Sequence, residues 1–172
     1  MEHITTLVLS LITAIIMSVS SLWGQPYSSP AETTFTTGTT TARVVNVIDG
    51  DTIEVMTGSS TKRTKVRYIG IDTPEPYATK IPECGSAEAT ARNKELVANK
   101  IVTLAPGLEP YDQYGRLLAY VYVDTTFINE LLVREGYATV LMINPNTQYR
   151  SLFISAYTNA RTQRLGIWNR CE

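Results

Sequence analysis

From residue 42 onward, apolar and polar positions alternate in short runs separated by turn residues. Arg43 to Ile48 (R-V-V-N-V-I) alternates as a strand does, and Asp49-Gly50-Asp51-Thr52 turns into Ile53-Glu54-Val55-Met56. A D-G step between two such runs is a hairpin signal. Gly58-Ser59-Ser60 turns the chain again, and Lys62 to Ile71 returns as a third strand. After a loop from Pro76 to Gly85, Ser86 is placed to cap a helix that runs to about Asn99, with Ala89, Leu96 and Val97 facing inward. Ile101 to Leu104 is a short strand, Pro106 to Gly115 a second loop, and Leu117 to Val123 (L-L-A-Y-V-Y-V) a strong strand. Phe127 to Glu135 and Tyr149 to Arg164 complete a set of three helices, stopped by Gly136 and Gly166 with the short apolar segment Ala138 to Ile143 between them. The expected fold is mainly β with helices, an α+β domain. A three-strand meander, a helix, two strands and two helices fit a five-stranded Greek-key barrel of the OB type with three α-helices. A generic α+β sheet with its helices on one side fits the same elements.

The first 41 residues follow another pattern. Ile4 to Trp23 is an uncharged, mostly apolar run, so residues 1–24 resemble a secretory signal peptide, with small residues near Ser18, Ser20 and Gly24 for cleavage. The segment before the run holds Glu2 and His3 instead of Lys or Arg, and twenty uncharged residues are long enough to span a bilayer. An uncleaved N-terminal membrane anchor therefore stands beside cleavage. Residues 25–41 are rich in Thr, Ser and Pro with little to bury, and they are expected to be a disordered linker. Residues 42–172 form the globular domain, and the chain is expected to be secreted or extracytoplasmic.

Charge narrows the choice of chemistry. The formal net charge is −1, and residues 42–172 carry 15 basic and 14 acidic side chains, so recognition of phosphate has to be local. The single histidine is His3, which removes Ser-His-Asp and Cys-His catalysis and histidine-ligated zinc from the domain. Carboxylates, arginines, lysines, tyrosines and hydroxyls remain.

The stretch Val66 to Glu75, V-R-Y-I-G-I-D-T-P-E, concentrates them. Pro74 fixes its own φ and pushes Thr73 towards extended geometry, which sets Asp72 and Glu75 on a rigid corner. Arg67 and Asp72 are five apart, so strict alternation puts them on opposite faces. If both serve one site the strand must bend between them, and Gly70 is the place for it. Asp51, Asp72 and Glu75 are hard oxygen ligands without nitrogen or sulfur partners, which suits Ca²⁺ or Mg²⁺. Arg67 and Arg116 offer guanidinium forks that match phosphate. A metal, two arginines and a spare carboxylate make a kit for phosphodiester hydrolysis. Each residue also has a plainer explanation: Asp49 and Asp51 favour a turn, and Arg116 pairs with Asp112. Cys84 and Cys171 are left over from all other roles, and in an exported chain such a pair favours a disulfide.

I-D-G-D-T at 48–52, R-Y-I-G-I-D-T-P-E at 67–75 and Y-G-R-L-L-A-Y-V at 114–121 together resemble the staphylococcal nuclease (thermonuclease) family. N-E-L-L-V-R-E-G-Y-A at 129–138 and L-G-I-W at 165–168 extend the resemblance, which covers about Ala42 to Trp168. It implies a five-stranded OB barrel with three helices that hydrolyses DNA and RNA with Ca²⁺ and leaves 3′-phosphate ends. It implies Asp51, Asp72 and the Thr73 carbonyl as calcium ligands, and Glu75 as the general base. Arg67 and Arg116 resemble the arginines that clamp the scissile phosphate, and Tyr114 resembles the tyrosine that contacts the bound nucleotide. Three differences stand out: Gln113 occupies a position where lysine is common, Leu141 to Pro145 lacks tyrosines near the base, and the domain is almost neutral. Weaker, more salt-sensitive binding of long polymers is the expectation. No obligate protein partner is evident and a monomer is expected. A non-catalytic OB module that binds nucleic acid or protein is the alternative, although such a module would usually lose Glu75 or an arginine.

Overall fold

The computed structural model describes residues 38–77 and 81–171. The signal peptide or anchor expected at 1–24, and the linker up to residue 37, lie outside the described residues. Among the described residues no helix is long and apolar enough to cross a membrane.

Among the described residues, eight strands and three helices follow one another. They are β1 (Thr40–Val47), β2 (Thr52–Met56), β3 (Thr64–Tyr68), β4 (Gly70–Asp72), α1 (Ser86–Val97), β5 (Ile101–Tyr111), β6 (Leu117–Val123), β7 (Thr126–Phe127), α2 (Ile128–Arg134), β8 (Thr139–Leu141) and α3 (Arg150–Thr162), before a final 3₁₀ turn at Gly166–Asn169. The main sheet runs β3-β2-β1-β5-β6-β7, and a further pairing of β3 with β6 closes it. That closing pair is parallel, with Arg67 opposite Leu118, while the other pairs are antiparallel. β1, β2, β3, β5 and β6 therefore form a closed five-stranded mixed barrel with three helices, the OB arrangement. β4 pairs with β8 as a separate two-stranded piece.

The barrel interior is filled from alternate strand positions. Val44, Ile53, Val55, Val66, Val102, Leu104 and Val121 are all buried, as the period-2 pattern requires. Helix α2 adds Ile128, Leu132 and Val133 to the same core, and α3 adds Phe153 and Ala156. Leu131 is only half-buried, whereas Val133 is fully buried.

Four boundaries differ from the pattern-based expectation, each for a physical reason. The linker yields its last two residues to β1, because Thr40 and Thr41 pair with Leu104 and Thr103 of β5. The expected third strand is two strands, β3 and β4, broken at Ile69–Gly70. Ser86 is the buried first residue of α1, not its cap: Gly85 occupies that position at φ 85° with no side-chain capping bond. β5 continues to Tyr111 through a segment expected to be a loop. Its register with β6 slips between Pro106, the partner of Ala119, and Tyr111, the partner of Leu117, so that Pro110 falls in the irregular stretch where its missing N–H is not called on. There the Asn146 side chain replaces a neighbouring strand: Glu109 N–H donates to Asn146 Oδ1 (3.1 Å) and Asn146 Nδ2 donates to the Glu109 carbonyl (2.9 Å).

Cys84 and Cys171 are joined, 87 residues apart in sequence with Cα atoms 5.7 Å apart. The cross-link ties the loop after T-P-E to the C-terminal end. Replacing both cysteines by alanine is expected to lower stability by about 2–4 kcal/mol in denaturant unfolding; an unchanged midpoint would count against it.

A second test concerns Glu130 in α2. Burial pushes its carboxyl above the usual range, Arg134 opposes that, and Glu135 adds to it. The folded state then holds the proton more tightly than the unfolded state, so this group's contribution to stability falls as pH rises. Glu130→Gln is expected to raise the Tm more at neutral pH than at about pH 4, where the native carboxyl is already protonated. An equal shift at both would contradict the burial argument.

Candidate active site

Arg67 sits near the end of β3, paired across the sheet with Thr52 of β2 and Leu118 of β6. It is buried, with 8% of its surface exposed. The parity problem between Arg67 and Asp72 is resolved at Gly70, which adopts φ 82° and lets the chain turn out of the barrel into β4. A Cβ there would also run into the Phe153 ring of α3. Asn129 secures the break, its Nδ2 donating to the Ile69 carbonyl (2.9 Å) while its Oδ1 accepts from Val121 N–H (2.9 Å).

The guanidinium of Arg67 spans this bend. Nη1 donates to the carbonyls of Tyr68 (3.0 Å) and Ile71 (2.8 Å), and Nη2 donates to Asp72 Oδ1 (2.7 Å). Nε lies 3.1 Å from Asp51 Oδ1. A guanidinium carries five N–H donors, and these partners account for four. Arg67 is therefore largely committed to the protein, and the bidentate phosphate fork expected from the sequence is restricted here to what remains on Nη2.

Asp51 comes from the turn before β2 and is completely buried. Its Oδ2 accepts from both Thr73 N–H (2.8 Å) and Thr73 Oγ1 (3.0 Å), and Thr52 Oγ1 donates to its Oδ1 (3.1 Å). The I-D-G-D-T turn and the D-T-P-E corner are thus locked together. Gly50 permits the approach, since a Cβ there would lie 2.6–2.8 Å from the Thr73 side chain. Asp49 Oδ1 accepts from Asp51 N–H (3.0 Å), and Asn93 of α1 donates to the Asp49 carbonyl (2.9 Å).

This corner is short of positive charge. Burial pushes the Asp51 carboxyl up to about 7, with Arg67 opposing the rise and Asp49 adding to it. Asp72 is raised by burial, against Arg67. Glu75 is raised by burial and then by Asp49, with Asp72 and Glu83 adding to it and Arg67 again opposing. Several carboxylates share one guanidinium, a field that favours a hard cation. Among the described residues, however, no three acidic, Cys or His side chains gather as a metal cage. Asp51, Asp72 and the Thr73 carbonyl supply suitable hard oxygens but fewer than the six to eight that Ca²⁺ takes, so water or substrate would have to supply the rest.

Arg116 and Tyr114 come from the hairpin between β5 and β6. Asp112 organises it: its Oδ1 accepts from the N–H groups of Tyr114 and Arg116 (both 2.9 Å), and its Oδ2 accepts from Arg116 Nε (2.6 Å). The plainer explanation of Arg116 thus holds for Nε, while the terminal nitrogens carry further donors. The guanidinium lies 5.5 Å from the centre of the Tyr114 ring, which is 75% exposed. A cavity of about 350 Å³ is lined by Arg67, Arg116, Tyr114, Gln113, Leu141 and Ile143, among others. Leu141 and Ile143 give it aliphatic lining where tyrosines were noted as absent. Asp51 and Glu75 do not line the cavity. Arg67 is the residue that both faces it and contacts the acidic corner.

The sequence of residues 65–170 matches the family described as Staphylococcal nuclease homologue. The chain belongs to the staphylococcal nuclease family. It is 40% identical over 129 residues to a thermonuclease of Staphylococcus intermedius, covering 74% of this chain and 75% of that one. A thermonuclease of Staphylococcus hyicus is 33% identical over 172 residues, covering 98% of this chain and 99% of that one. Endonuclease YncB of Bacillus subtilis (strain 168) is 40% identical over 139 residues; the match covers 74% of this chain and 64% of that protein.

Asn93, Asn129 and Asn146 escaped the sequence reading, as did the role of Asp112 as acceptor for the Tyr114 and Arg116 N–H groups. Asp112 had a usable signal, an Asp opening a turn that contains Gly. The three asparagines had none, because an Asn facing a buried backbone group is indistinguishable in sequence from one facing water. Removing the cation that holds the corner together, as Arg67→Met, is expected to cost about 3–5 kcal/mol in alkaline solution by leaving Asp51 uncompensated. The cost should shrink as pH falls through about 7, where Asp51 takes up a proton. A pH-independent loss in urea unfolding would contradict this.

Proposed function

We propose that the chain is a Ca²⁺-dependent nuclease that hydrolyses phosphodiester bonds of DNA and RNA with low sequence specificity. Relatives named as thermonucleases and an endonuclease support a nuclease function. The observation that carries the finer reading is the double role of Arg67, which lines the cavity shared with Arg116 and Tyr114 and contacts both Asp51 and Asp72.

In this reading Asp51, Asp72 and the Thr73 carbonyl hold Ca²⁺, which when bound supplies Lewis-acid polarisation of a phosphoryl oxygen. Glu75 accepts a proton from water as the water oxygen bonds to phosphorus, and its raised affinity for protons suits a general base. Arg116 and the remaining donor of Arg67 stabilise charge that builds on the equatorial oxygens. The phosphorus–O5′ bond breaks with its electron pair on oxygen, which takes a proton from solvent water, and this leaves a 3′-phosphate and a 5′-hydroxyl. Tyr114 offers its exposed face to a nucleotide base. Export follows as part of the proposal: Ile4 to Trp23 has the composition of a signal or anchor segment, and a disulfide suits an oxidising compartment.

Digestion of single-stranded DNA by the purified domain tests this. Chelation of Ca²⁺ and Glu75→Gln are each expected to lower the rate by roughly 10²–10⁴-fold. Equal cutting by the variant would remove Glu75 from the base role. No cutting by the wild type with any divalent ion would favour the binding-module alternative.

A further inference from the structure

Glu75 stands on a loop, yet a general base has to be held within a fraction of an ångström of its position. We propose that Glu83 is a positioning residue for Glu75, and that the Cys84–Cys171 cross-link fixes Glu83 in place. This inference rests on the assignment of Glu75 as the base.

The geometry is reciprocal. Glu75 N–H donates to Glu83 Oε2 (2.9 Å), and Glu83 N–H donates to the Glu75 carbonyl (3.1 Å). The two residues therefore clamp the ends of the loop between them. Glu83 is held in turn from its C-terminal side. Ser86 N–H donates to its carbonyl (3.1 Å), Cys84 is bonded to Cys171, and Gly85 packs against Ile167. Cys171 N–H donates to the Ile167 carbonyl (2.8 Å), so the far end of the bridge is anchored in the terminal 3₁₀ turn.

Glu83 is exposed, as is Cys84, so burial does not hold this segment. A covalent bond one residue from the hydrogen-bonding side chain does so instead. The oxygen of Glu83 serves as an acceptor for a backbone N–H, a role that an amide oxygen can also fill.

The test compares Glu83→Ala, Glu83→Gln and the double variant Cys84→Ser/Cys171→Ser in the otherwise intact chain. Glu83→Ala is expected to lower kcat by about 10- to 100-fold while KM changes little, because a displaced base weakens the transition state more than substrate binding. Glu83→Gln keeps an oxygen acceptor and is expected to restore most of that loss. The double serine variant should lower kcat in the same direction at a temperature where circular dichroism shows it folded. Hydrogen exchange of the Glu75 amide, measured without metal or substrate, should be faster in Glu83→Ala and in the serine variant than in the wild type. Faster exchange with an unchanged kcat would overturn the proposal, as would a rise in KM alone or a failure of Glu83→Gln to restore turnover. Because exchange is read without turnover, a wild type that does not cut overturns the nuclease reading and the base role on which this proposal rests, while the clamp itself is still measured.

Discussion

One buried guanidinium holds the functional corner of this domain together. Arg67 reaches two carbonyls on either side of the Gly70 bend, the carboxylate of Asp72 beyond it, and the carboxylate of Asp51 from a different turn. Three chain segments that diverge from the barrel are thereby brought to one point. A lysine would offer three donors on a single atom and could not match this planar arrangement. The need for that cation explains why β3 carries a buried arginine on the face opposite Val66 and Tyr68. Burying a charge this deeply is tolerable only because each neighbour is a formal or partial anion.

The same arrangement divides labour between the arginines. Arg67 spends most of its donors on the protein, whereas Arg116 spends Nε on Asp112 and keeps its terminal nitrogens beside the cleft. Arg67 is therefore mainly an organiser of charge and Arg116 the freer fork. Burial raises both Asp51 and Asp72 above the ordinary carboxylate range, and Arg67 opposes the rise at both without cancelling it. The closed barrel supplies the rigidity: β3 is fixed on one edge by β2 and on the other by β6, so Arg67 cannot drift.

Much of this was legible in the residues. The alternation from Arg43 to Met56 announced a hairpin, and the five-residue spacing of Arg67 and Asp72 announced a bend at Gly70. What the sequence hid were features that depend on partners far along the chain. Prolines at 106 and 110 read as a loop because nothing local reveals that Asn146 will serve as a strand's edge. Ser86 read as a cap because local propensity cannot foresee Gly85 packed against Ile167. The commitment of Arg67 was likewise invisible: a motif identifies a guanidinium but not how many of its donors are already engaged.

The central claim is that Arg67 couples the acidic corner to the nucleotide cleft. Calorimetric titration of Ca²⁺ with and without a short phosphorylated nucleotide measures this directly, because coupling between two sites is reciprocal. The account predicts that each ligand tightens the other's binding in the wild type, and that the mutual effect is lost in Arg67→Lys. Calcium affinity that is the same with and without nucleotide would contradict it.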